Sequence, residues 1–229
     1  MLDDFALAQP WLKGMNLADA KTAHDNLCRI AAAGVTLDLM AHICRQFAAT
    51  VPSLADPDMA LNNLERFIAE SRSPMSSAAL FERDSEALPN LLQLFSTSQY
   101  LSNLLIVDNE AYDLLRITDG QPVARDSLIE ELDQEVATLT NKQEVMASLR
   151  RFKRREILRI AFGDIIRRQP VATVARQISY LADAIIEVAV RFARRSLEEL
   201  RGEPQGLKGN RARFVVLALG KLGGVELNY

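Results

Sequence analysis

The residues best suited to chemistry lie late in the chain, where an apolar run, Phe214-Val215-Val216-Leu217-Ala218-Leu219, enters Gly220-Lys221-Leu222-Gly223-Gly224. Glycine lets backbone N–H groups approach an anion because no Cβ intervenes, so a buried strand feeding a glycine turn is a common way to cradle phosphate. Gly220, Lys221, Gly223 and Gly224 are therefore candidate nucleotide- or phosphate-binding residues. The pattern is not a P-loop, since Leu222 follows Lys221 where Ser or Thr is required, and it is not G-x-G-x-x-G. As a glycine turn alone it reads equally as an ordinary strand-to-helix connection.

A second candidate is the basic run of Arg150, Arg151, Lys153, Arg154, Arg155, Arg159, Arg167 and Arg168, interrupted between 150 and 168 only by Glu156 and Asp164. Such a run can contact phosphate, or it can be a solvated helix face paired with Asp126, Glu130, Glu131, Asp133 and Glu135 upstream. Phe152 and Phe162 are its only aromatics, a poor stacking platform, which disfavours nucleic acid as a partner. Arg151 and Arg155 lie one helical turn apart and are the candidate anion contacts. The two histidines and two cysteines are His24, Cys28, His42 and Cys44. His24 and Cys28 share a helix face, but His42 and Cys44 point apart on a helix, which disfavours a tetrahedral zinc site; no metal ligand is assigned. No Ser-His-Asp or Cys-His-Asn arrangement emerges, and Trp11 reads as a packing anchor.

The elements that position these residues are helical. Side-chain caps followed by proline at Asp56-Pro57 and Ser73-Pro74, and Asn141-x-x-Glu144, mark helix starts. Apolar spacing predicts helices near 16–33, 36–50, 57–71, 74–83, 87–95, 98–107, 109–117, 125–139, 141–167 and 171–201. In the last, Val174, Ile178, Leu181, Ile185, Val188 and Phe192 form one stripe, so it reads as a central helix packed by several others. All eight prolines are placed between helices or in a first turn. Six of the ten glycines lie from Gly202 onward, which sets the main boundary there. The expected organisation is an N-terminal helical region over 1–140, a long-helix region over 141–201, a polar linker over 202–210, and a different kind of domain beginning at 211. The run 214–219 is the one expected strand.

Composition sets outer limits. The 229 residues are 48% hydrophobic and 25% charged, with 27 Lys+Arg against 30 Asp+Glu and a net charge of -3, ordinary for a globular chain with one or two cores. That balance argues against a surface devoted to nucleic acid or anionic lipid. No apolar run approaches the roughly 20 residues of a membrane span, and Met1-Leu2-Asp3-Asp4 lacks the features of a secretory signal. With only two cysteines, the expected location is cytoplasmic.

The segment 219–229, Leu-Gly-Lys-Leu-Gly-Gly-Val-Glu-Leu-Asn-Tyr, resembles the opening of the nucleotidyltransferase motif in the glutamine synthetase adenylyltransferase family. Segments 149–160 and 174–183 resemble the same family, as do Asn63-Leu64-Glu65-Arg66-Phe67 and 91–105 more weakly. The resemblance covers most of the chain from about residue 60. It implies a mainly α fold, a multi-helix region leading into the first strand of an α/β, polymerase-β-like nucleotidyltransferase domain. Family enzymes add and remove AMP on glutamine synthetase with two such halves, and this chain resembles the N-terminal, adenylyl-removing half. ATP or phosphate, magnesium, glutamine synthetase and the PII signalling protein are the implied ligands and partners. The family motif continues into Ser-Asp-x-Asp-Leu, whose aspartates hold divalent metal. Tyr229 precedes both, so the expectation is a fragment without catalytic residues or metal ligands of its own, inactive alone. A noncatalytic helical module that docks a protein partner is the alternative.

Overall fold

A computed structural model describes residues 4–15, 17–206 and 209–229. The expected features at Met1, Leu2, Asp3, Asn16, Leu207 and Lys208 lie outside the described residues. The chain divides into two compact units, Met1–Asp119 and Gly120–Tyr229.

In the first unit, α1 (Phe5–Lys13), α2 (Ala20–Ala32), α3 (Leu37–Thr50), α4 (Pro57–Glu70), α5 (Pro74–Arg83), α6 (Ala87–Thr97), α7 (Gln99–Val107) and α8 (Ala111–Thr118) follow in order. The caps act as read: Asp56 accepts from the Met59 N–H and Ser73 from the Ser76 N–H. Helix α4 packs against α2, α6 and α7, burying Leu61, Leu64, Phe67 and Ile68. Phe67 meets the rings of Phe95 and Tyr112 edge-on, and the buried Asn63 donates to the Phe95 carbonyl at 3.2 Å. Helix α1 departs from the sequence expectation. Pro10 lies inside it, contrary to the placement of every proline at a boundary. The missing proline N–H is outweighed by a cap at Asp4 and by burial of Ala8 and Leu12 where α1 packs on α2.

The second unit contains α9 (Arg125–Val136), α10 (Lys142–Ile165), α11 (Val171–Arg201) and the single turn α12 (Gly220–Gly223). Helices α9 and α10 both pack on α11. Val174, Ile178, Leu181 and Val188 of its expected stripe are buried, but Ala184 takes the fully buried place assigned to Ile185. The expected strand is not formed. Residues 212–219 carry no strand pairing, and an isolated bridge from Gln205 to Arg211 is the one β contact among the described residues. Phe214, Val215, Leu217 and Leu219 are exposed. A strand exists only through a neighbour that takes up its N–H and C=O groups, and helices cannot supply one. The fold is mainly α, and no helix among the described residues is long and apolar enough to cross a membrane.

Candidate functional site

The site is built on one side by α10 and α11 and on the other by the glycine turn. Asn141 caps α10, accepting from the Gln143 N–H at 2.8 Å. The helix then runs through the basic segment, where burial separates two kinds of arginine. Arg151 is exposed. Arg155 is half-buried, donates to Glu131 at 2.7 Å and to Glu135 at 3.0 Å, lies 3.4 Å from Glu156, and sits over the Phe152 ring. Desolvation works against its charge, but Glu131, Glu156 and Glu135 together raise its pKa further above the ordinary arginine value. These partners are among the upstream acids that a paired helix face would use.

Deeper in the same helix, Glu156 and Arg159 are both buried and joined at 2.7 Å. Arg159 also donates to Gln177 on α11 at 2.9 Å and to the Gln121 carbonyl. Gln177 completes the group as a backbone mimic. Its Nε2 donates to the Val123 carbonyl at 2.9 Å and its Oε1 accepts from the Val123 N–H at 2.8 Å. Gln169 Nε2 donates to the Gly120 carbonyl at 2.8 Å. Loop 120–124 is thereby clasped to both long helices. The clasp needs glycine on both sides: a Cβ on Gly120 would lie 2.4 Å from the Gly163 nitrogen, and one on Gly163 would lie 2.6 Å from the Gly120 oxygen. In the sequence Arg159 reads as part of the basic run and Glu156 as its interruption, but neither of them, nor Gln177, is assigned this buried structural role there. The available signals were a lone glutamate within the basic run and a glutamine within the apolar stripe of α11.

The C-terminal turn meets the same two helices. Gly220 has φ +62°, open only to glycine at low cost, and a Cβ on Gly223 would lie 2.5 Å from the Ala218 oxygen. Gly224 has ordinary helical φ and acts as the cap of α12. Beyond it, the Glu226 N–H donates to the Lys221 carbonyl at 2.7 Å and the Val225 N–H to the Leu222 carbonyl at 3.1 Å, the two bonds of a Schellman motif. The left-handed residue of that motif is Val225, with φ +59°, although two glycines stand immediately before it. The Lys221 ammonium donates to Asn228 Oδ1 at 3.2 Å. The Leu227 N–H donates to Ser179 Oγ at 3.3 Å, while the Ser179 hydroxyl donates to the Ala175 carbonyl at 2.8 Å. Tyr229 is 59% exposed as a residue, but partial desolvation of its phenol and the neighbouring Asp164 carboxylate push its pKa above the ordinary value. A cavity of about 650 Å³, lined by Asp164, Val174, Ile178, Glu226 and Tyr229 among others, separates the rest of the segment from the helices.

The structure thus brings Gly220, Lys221, Gly223 and Gly224 together in one turn. Among the described residues, that turn and its flank contact α11 and Asp164, whereas Arg155 is engaged by Glu131, Glu135, Glu156 and Phe152. Elsewhere, His24 and Cys28 approach within 3.8 Å in the first unit, and burial pushes the Cys44 thiol up to about 11. No group of three or more His, Cys, Asp or Glu among the described residues is placed to hold a metal ion.

The segments that converge here, 149–160, 174–183 and 219–229, all fall inside residues 88–229, which match the family model for glutamate-ammonia ligase adenylyltransferase. The chain belongs to the glutamate-ammonia ligase adenylyltransferase family. Three similar proteins are each described as a bifunctional glutamine synthetase adenylyltransferase/adenylyl-removing enzyme. That of Pseudomonas aeruginosa is 32% identical over 191 residues, 78% of this chain and 19% of the relative. Those of Pasteurella multocida and Hahella chejuensis are 32% and 31% identical, each over 66% of this chain and 16% of the relative. The chain therefore spans less than a fifth of the length of these members of the adenylyltransferase family.

Proposed function

We propose that this chain is the part of a bifunctional glutamine synthetase adenylyltransferase that joins its helical region to a nucleotidyltransferase domain, and that this domain is the adenylyl-removing one. The supporting observation is that the residues just after the 220–225 turn settle on the long helices, Leu227 bonding to Ser179 of α11 and Tyr229 lying beside Asp164 of α10. The long helices serve as the platform on which the transfer domain starts, and Gly220, Lys221, Gly223 and Gly224 present backbone donors and one ammonium toward the phosphate of a nucleotide or of inorganic phosphate. In such an enzyme, magnesium held by carboxylates of the family motif supplies the neutralising charge for transfer. Arg151, exposed on α10, is the remaining candidate anion contact. Arg155 serves instead to tie α10 to α9. Glutamine synthetase is the proposed protein substrate and PII the proposed regulator, both in the cytoplasm.

The test is a chimera in which residues 88–229 replace the matching segment of the Pseudomonas aeruginosa relative. AMP on glutamine synthetase is then followed by intact mass, with phosphate and magnesium in one arm and ATP and magnesium in the other. A folded chimera that removes AMP supports the reading. A folded chimera that adds AMP normally but removes none, under conditions in which the parental enzyme removes it, counts against that assignment.

A further inference from the structure

The 220–225 turn has an unstrained alternative within its own sequence. A Schellman motif ended one residue earlier would put Gly224 in the left-handed position, where glycine carries no Cβ penalty. The observed turn puts Val225 there, a β-branched residue for which φ near +60° is a true outlier. A conformation of this kind persists only where its surroundings over-determine it. The surroundings here are few and specific. Ser179 is buried, with its hydroxyl fully used: it donates to Ala175 within α11 and accepts from Leu227. Asp164 near the end of α10 lines the same cavity as Tyr229, and its carboxylate acts on the Tyr229 phenol. Apolar packing contributes less, since within 220–229 only Leu222 and Leu227 are half-buried and no residue is fully buried. A shift by one residue would carry both Leu227 and Tyr229 off these partners.

We infer that Ser179 and Asp164 are positioning residues that select the strained register of the 220–225 turn and so fix where its backbone donors point. The inference rests on the nucleotidyl-transfer reading of the turn, but its first test does not. In the 229-residue chain, amide exchange by NMR reports the Schellman bonds of Val225 and Glu226 directly. Ser179→Ala lowers protection of both amides by about fivefold, the scale of one net hydrogen bond, and Ser179→Thr, which keeps the hydroxyl, restores it. In a Val225→Gly background the strain is gone, and the same Ser179→Ala change alters protection by less than about twofold. Tyr229→Phe provides an independent route to the same loss without touching a buried helix position. Unchanged protection at Val225 and Glu226 in both Ser179→Ala and Tyr229→Phe overturns the inference, as does an equal loss with and without Val225→Gly. The second test uses an intact adenylyl-removing enzyme carrying this segment. There Ser179→Ala lowers kcat/KM for AMP removal by about tenfold or more, as expected when donors are misplaced, and Ser179→Thr restores it at unchanged melting temperature. Lost protection with unchanged kinetics keeps the positioning role and removes the turn from the reaction.

Discussion

Two stretches of the second unit outside its three long helices run over the same pair, α10 and α11, and are held in different ways. Loop 120–124 is clasped by Arg159, Gln177 and Gln169, with Gly120 in backbone contact with Gly163. Residues 212–229 touch the helices through Ser179 and Asp164 and leave Phe214, Val215, Leu217 and Leu219 to solvent. The difference lies in what each stretch requires. The loop needs acceptors and donors for a few backbone groups, which long polar side chains on helices supply. The run 214–219 needs a whole ladder of partners and two covered faces, which only other strands supply. A helical platform can therefore finish a loop but can only start a sheet.

The contrast breaks most severely at the clasp. Arg159→Met leaves the buried Glu156 with only the longer, 3.4 Å contact to Arg155, and the expected loss is about 3 kcal/mol in urea unfolding; adding Glu156→Leu recovers most of it, because the poorly compensated charge and not the missing contact dominates the cost. Gly163→Ala is the next largest effect, an expected loss of about 1–3 kcal/mol, since the new methyl meets the Gly120 backbone oxygen, which cannot swing aside, as well as the Gln169 side chain that holds the loop. Deleting residues 211–229 sits at the other extreme. Far-UV circular dichroism should show helix content nearly unchanged, and light scattering should show reduced association, because the deleted apolar side chains are exposed.

A smaller effect marks the first unit as the reference. Burial holds the Cys44 thiol neutral, with its pKa pushed up to about 11 from an ordinary 9.0. Above pH 9 the unfolded chain therefore releases a proton that the folded chain keeps, so stability falls as pH rises from about 9 toward 11. Cys44→Ala flattens that slope, and the thiol resists alkylation at pH 8 until the chain unfolds. Arg159→Met should accelerate that alkylation only if the two units unfold together.

Most helices were legible because their starts are written in side chains: Asp56 and Ser73 cap as their spacing predicts, and Asn141 caps α10 through the Gln143 N–H in place of the Glu144 N–H of a capping box. Helix α1 was not, since Pro10 argues locally against a helix that burial on α2 stabilises. The apolar run 214–219 has the composition of a strand, but pairing is a property of neighbours and not of the run itself. At the site, the glycines pointed to the turn, and the residue that takes the left-handed conformation is nonetheless Val225, because contacts two and four residues later set the register. The clasp was missed for a related reason. Arg159 stands among arginines that are exposed or, like Arg155, half-buried, and only the fold distinguishes it.

Segment-resolved amide hydrogen exchange on the 229-residue chain tests the central claim most directly. Val123, whose N–H is held by Gln177, should exchange as slowly as the middle of α10 and α11; residues 214–219 should exchange at the rate of an unpaired peptide, and Leu227 should fall between. Protection across 214–219 equal to that of Val123 would contradict the account, since it would mean that this run has found the partners that the helical platform does not provide.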